Sequence, residues 1–230
     1  MNTLLKRIQN ANKERLAIQT ELKSISEYYD LSYEEMYHYY HAMKPKQAEK
    51  FIEGWVAHLY GGTKINNKQV PEEYKKNDVG DIQGSPNLVL GENNIELKTS
   101  FNHNKASVGG GQFRLYEPVP YYLLFRSWSD TEYEMFLLTK EQLVHEIKQR
   151  AIDSGMSAYT QSQGSGDIRN LTNEEKFARL DENVNGTRDD KIGWDFNRDT
   201  EPEYYKHFCD NYRVTAEDLR KKFGNEEVAS

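Results

Sequence analysis

Cysteine is almost missing from this chain: Cys209 stands alone, so no disulfide can close within it. No Cys/His spacing suggests a structural zinc, and a reducing cytoplasm of the prokaryotic intracellular type is the expected setting. Long apolar runs are missing too. The first residues mix Lys6, Arg7, Lys13, Glu14 and Arg15 with their apolar neighbours, a pattern of neither a secretory signal nor a membrane span, and no membrane partner is expected. No internal repeat is evident, and no phosphate-binding P-loop, which argues against an ATPase. Excess positive charge is lacking as well: 30 Lys and Arg stand against 37 Asp and Glu, a net charge of -7. That balance opposes nonspecific adhesion to nucleic acid over the whole surface, leaves room for a local basic groove, and supplies carboxylates for a metal.

What is present suits one compact α/β domain, since 230 residues can bury a proper core. Leu4, Ile8, Ala11, Arg15, Ile18, Leu22, Ile25 and Tyr29 step by threes and fours, an amphipathic helix that packs on its own domain or on a second subunit. Ser32 with Glu35 is a capping box for a second helix. Pro45 opens a third, from 46 to about 60, closed by Gly61 and Gly62, with Phe51, Trp55 and Leu59 as its buried face. Residues 121–126 and 133–138 read as two strands, followed by a helix from about 140 to 151. Between 154 and 200 the composition turns to Gly, Ser, Asn, Gln and Asp, too long a stretch to be structureless in a compact domain unless it is functional or ordered by a partner. Thr215 caps a last helix over 216–223.

The stretch 78–98 stands apart because it carries charges that packing does not require. If 95–98 is a strand, Ile95 and Leu97 face a core while Glu96 and Lys98 share the other face. Turn residues Gly84, Ser85, Pro86 and then Gly91, Glu92, Asn93 and Asn94 let the chain fold back, bringing Asp81 beside Glu96. Two carboxylates and a lysine meeting at one point suit Mg2+, which binds through one or two carboxylates and keeps several waters. A lysine there can hold or deprotonate the attacking water. The alternative is that Glu96 and Lys98 only solvate an edge strand and Asp81 only starts a turn. Asp78 competes for the first acidic position, but Ile82 places Asp81 at a strand entrance.

The series Asp81-x14-Glu96-x-Lys98 resembles the signature of the PD-(D/E)xK nuclease superfamily, with Gly80 where the name has proline. The resemblance covers residues 46–140, and within the superfamily the chain is most similar to a type II restriction endonuclease. It implies a restriction-endonuclease-like α/β core, a central mixed β-sheet flanked by helices, with N-terminal helices and a long polar recognition insertion. The implied division is a helical region over 1–44, a catalytic core over 45–152, a DNA-recognition region over 153–200 and a helical segment over 201–230, all in one endonuclease domain. The implied activity is Mg2+-dependent, sequence-specific double-strand cutting of DNA, at a palindromic site if two copies form a homodimer. Asp81, Glu96 and the backbone carbonyl of Leu97 would hold the metal, Lys98 would activate water, and Glu53, with Glu49 in reserve, would add a helix carboxylate.

After Lys98 the chain reads as a polar loop through Gly109, Gly110 and Gly111, and Asn102, His103, Asn104, Lys105 and Arg114 are its candidate DNA contacts. Arg169, Asn170, Arg179, Asn185, Arg188 and Arg198 are the candidates in the 154–200 stretch. Two rival readings remain: a structure-selective repair or recombination nuclease with the same triad, and a DNA-binding module without catalysis.

Overall fold

Alternation of side chains along three strands sets the architecture. A computed structural model describes residues 30–64, 80, 82–83, 93–117, 119–153, 157–159, 171–187 and 191–223, without the side chains of 63–64, 82–83, 111–112, 150–153, 157–159 and 191. The helix expected over 4–29 and the turn residues from 84 to 92 lie outside these. The described elements run α1 (Tyr33–Ala42), α2 (Pro45–Leu59), β1 (Thr63–Lys64), β2 (Ile82–Gln83), β3 (Asn94–Ser100), β4 (Ser107–Phe113), β5 (Tyr121–Ser127) and β6 (Tyr133–Thr139). Then follow α3 (Lys140–Asp153), β7 (Ser157–Tyr159), α4 (Asn173–Val184), β8 (Lys191–Asn197), α5 (Pro202–Tyr212), β9 (Arg213–Val214) and α6 (Ala216–Phe223). The class is α/β, with one mixed sheet ordered β1-β2-β3-β5-β6-β9 and a small second sheet ordered β4-β8-β7. Within the large sheet β3 and β5 run parallel and the other described pairs antiparallel.

Both faces of the large sheet are covered, which explains why β5 and β6 are almost continuously apolar. On one face Ile95, Leu97, Leu123, Phe125, Met135 and Leu137 meet Met36 and Tyr39 of α1, Phe51, Ile52 and Trp55 of α2, and Leu219 and Phe223 of α6. On the other, Tyr122, Leu124, Phe136 and Leu138 meet Leu143 and Ile147 of α3, Leu180 of α4, Phe208 of α5, and Ile192, Trp194 and Phe196 of β8. Local signals place the helices. Ser32 and Glu35 form the expected capping box, Pro45 starts α2, and Gly61 leaves it with φ 76°. Thr215 caps α6, its hydroxyl accepting from the Asp218 amide at 3.1 Å.

Two stretches differ from expectation. The three glycines are not a loop but part of β4, paired antiparallel with β8 across a register shift. The reason is close approach. A Cβ on Gly109, whose φ is +132°, would sit 2.3 Å from the Trp194 carbonyl oxygen, and one on Gly110 would sit 3.1 Å from Lys98 Cβ. The polar 154–200 stretch also contributes to packing, because its described residues supply α4 and β8 to the second core.

Many tyrosines hold their hydroxyls inside this frame, and the consequence is alkaline sensitivity. Burial pushes the Tyr33 phenol up to about 12, and burial likewise raises Tyr40, Tyr60 and Tyr133. In the unfolded chain such phenols ionise near pH 10. Folded-state values above unfolded ones mean stability that is complete below pH 10 and lost as pH rises toward 12. Melting temperature should therefore fall steeply between pH 10 and 12, and a flat profile there would contradict this account.

Candidate active site

Strand β3 does what its alternation promises. Ile95 and Leu97 enter the core beneath α1 and α2, while Glu96 and Lys98 point to the opposite face, beside Tyr122 and Leu124 of β5. There Lys98 Nζ donates to Glu96 Oε1, with the two side chains 16% and 8% exposed. Their register partners on β5 are apolar or aromatic, and the next charged side chains on this face are Arg126 and Glu134, one pleat further along. Glu96 Oε2 is buried and accepts no hydrogen bond among the described residues. A buried carboxylate oxygen without a donor is costly, and a cation relieves that cost.

Strand β4 crosses this face directly above Lys98, with Gly110 against the lysine's Cβ and Cγ. The site is thus walled by β3 on one side and by glycine backbone on the other. Asp81 and Asp78 lie outside the described residues. The chain neighbours of Asp81 are described: Ile82 pairs with Ile95, and Gly80, with φ 89°, is buried so near Ile95 that a Cβ would meet its carbonyl oxygen at 2.9 Å. Leu97 pairs with Leu123 in the parallel ladder. Among the described residues no group of three His, Cys, Asp or Glu side chains is arranged to hold a metal. The partial set there, Glu96 Oε2 beside an ammonium, is of the hard oxygen chemistry that suits Mg2+.

Glu53 is half-buried on α2 and Glu49 is exposed on the same helix, which packs on the face of β3 opposite Glu96 and Lys98. The structure does not group either with that pair. Asn102, His103, Asn104 and Lys105 are exposed in the turn after β3. His103 Nε2 lies 2.8 Å from Ser127 Oγ, and its ring stacks on Tyr37 at 5.3 Å between centroids. Arg114 pairs with Glu117 at 3.3 Å. Arg169, Asn170 and Arg188 lie outside the described residues.

Sequence reasoning missed the residue that shapes this turn. Arg126, 1% exposed on β5, donates to Ser100 Oγ at 2.7 Å, to the Asn102 carbonyl at 3.0 Å, and to the carbonyl of Lys105. Its pKa is held below the ordinary arginine value, by burial first and by the charge of Arg198 second. The guanidinium carbons of Arg126 and Arg198 both lie over the Trp128 ring, 4.4 and 4.0 Å from its centroid. An arginine closing an apolar strand was the available signal. Its partners are backbone carbonyls, which no side-chain pattern announces.

No family model, curated protein or solved structure matches this chain. Among the described residues no helix is long and apolar enough to cross a membrane.

Proposed function

We propose that the chain is a Mg2+-dependent endodeoxyribonuclease of the type II restriction class, built on a PD-(D/E)xK core. The observation that carries this reading is the buried Oε2 of Glu96, without a donor among the described residues, beside the Lys98 ammonium. The placement of Gly80 and Ile82 against Ile95 supports giving Asp81 the second carboxylate.

In this reading Asp81, Glu96 and the Leu97 carbonyl would hold Mg2+, which would supply Lewis-acid charge stabilisation at the scissile phosphodiester. Lys98, as an ammonium, orients the attacking water and stabilises the negative charge that develops as that water gives its proton to solvent. Glu96, by accepting from Lys98, fixes where that ammonium sits. The glycine backbone of β4 packs against the lysine's Cβ and Cγ and so bounds where its ammonium can sit. A homodimer would place one such centre on each DNA strand.

The test is direct. Long DNA of known sequence is incubated with the protein and Mg2+, beside an EDTA control, and the ends are mapped. Discrete, metal-dependent fragments sharing one sequence are expected. Binding without cutting would instead mean a DNA-binding module, and cuts confined to branched DNA a repair or recombination nuclease.

A further inference from the structure

Along β3 the residues on the site's face are Glu96, Lys98 and then Ser100. Ser100 is the register partner of Arg126 and accepts from its guanidinium, so the Arg126, Trp128 and Arg198 group begins one pleat beyond Lys98, about 7 Å along the strand. This group is not electrically closed. Arg126 pairs with no carboxylate among the described residues, and its Nε is buried without a partner. Glu134 is occupied, taking the Trp128 indole at 2.7 Å and Arg213 at 3.0 Å, together with the Tyr205 hydroxyl. Arg198 meets Asp199 at 3.2 Å, a pair 37% and 66% exposed, and exposed pairs contribute little and yield readily to a stronger anion. Among the described residues three guanidiniums thus share two carboxylates, with the exposed Lys105 one residue from Ala106, whose carbonyl accepts from the Arg198 amide at 2.7 Å.

Guanidinium stacked on an aromatic ring keeps its edge free for planar oxygen acceptors, which is how arginine takes a phosphate. Arg126 is too buried to touch a ligand. Its charge, fixed beneath the 101–105 turn, adds to the potential at the solvent-facing Arg198.

We infer that Arg198, stacked on Trp128 and backed by Arg126, is a phosphate-binding position that holds the nucleic-acid backbone next to the phosphate at Lys98. The inference rests on nucleic acid being the substrate, as proposed above. It assigns Arg198 to backbone rather than base, so its contribution is the same for every sequence.

The test is duplex binding by the full chain across a salt series, with Ca2+ replacing Mg2+ to prevent turnover. Each phosphate contact contributes about 0.9 to the slope of log affinity against log salt. Arg198→Gln should lower that slope by about one contact equally on duplexes of unrelated sequence, with an unchanged melting temperature. Lys221→Gln, the same charge change on α6 across the sheet, should leave the slope as it was. An unchanged slope in Arg198→Gln overturns the inference, as does a loss confined to one sequence, which would make Arg198 a base reader. So does failure of the parent to bind any duplex. Cutting by the parent with no Arg198 effect removes this inference alone; an Arg198 effect on binding without Mg2+-dependent cutting removes only the nuclease reading.

Discussion

Replacing Lys98 with alanine is expected to lower Mg2+-dependent cutting by roughly 100- to 10,000-fold, the range for a group positioned at a proton transfer, while duplex affinity stays close to the parent's. Stability should fall as well. Among the described residues the lysine's ion-pair partner is Glu96, 8% exposed, and stripping one member from a buried pair costs about 3–5 kcal/mol because the other charge is left uncompensated. The two effects separate in the double variant Lys98→Ala with Glu96→Gln. Neutralising the orphaned carboxylate should restore much of the melting temperature, yet cutting should remain lost. A structural ion pair would behave otherwise: single and double variants would all cut at the parent rate once folded. Glu96→Gln alone keeps the shape and removes a metal-holding charge, so residual cutting should need far more Mg2+.

The glycines of β4 give the second large effect, and they divide stability from activity. Alanine at Gly109 would place its Cβ 2.3 Å from the Trp194 carbonyl oxygen and 2.6 Å from Asp195 Cα, at a φ of +132°. Backbone meets backbone there, so β4 and β8 must part. A loss of about 3–5 kcal/mol is expected, with unfolding at a much lower denaturant concentration. Alanine at Gly110 meets only Lys98, at 3.1 Å to Cβ and 3.3 Å to Cγ, and Phe113 at 3.4 Å. A shift of a few tenths of an ångström accommodates it, at about 1–3 kcal/mol. That shift falls on the lysine. Displacements approaching 1 Å at a reacting group cost about 100-fold in rate, so with a shift of a few tenths Gly110→Ala should fold and cut more slowly than the parent, by less than that factor. If it cuts at the parent rate while Lys98→Ala does not, the wall does not set the lysine's position.

How much of this was legible depended on whether the causes were local. Helix ends were readable because Ser32, Glu35, Pro45 and Thr215 act on their own turns. The division of β3 into a core face and a charged face followed from strand geometry alone. The glycines misled because their purpose lies with Lys98, 12 residues before Gly110, and with Trp194, 84 residues after it. In the 154–200 stretch the alternation of Ile192, Trp194 and Phe196 was a strand signal that the surrounding polar composition hid. Arg126 gave the least warning. Its surroundings are carbonyls delivered by a turn 21 to 26 positions earlier, and a sequence carries no mark for a carbonyl's direction.

Because β4 lies between β3 and β5 in the chain yet finds its hydrogen-bonding partner in β8, the wall over Lys98 closes late in synthesis. A growing polypeptide can fold β3, β5, β6 and their helices while β4 has nothing to pair with, and loop closure over such a separation is entropically slow. Only when residues 191–197 have left the ribosome can the glycine strand be seated. A nascent chain therefore carries Glu96 and Lys98 without a finished cleft, and a truncated one never completes it. Assembly of the cleft thus reports that synthesis has passed β8.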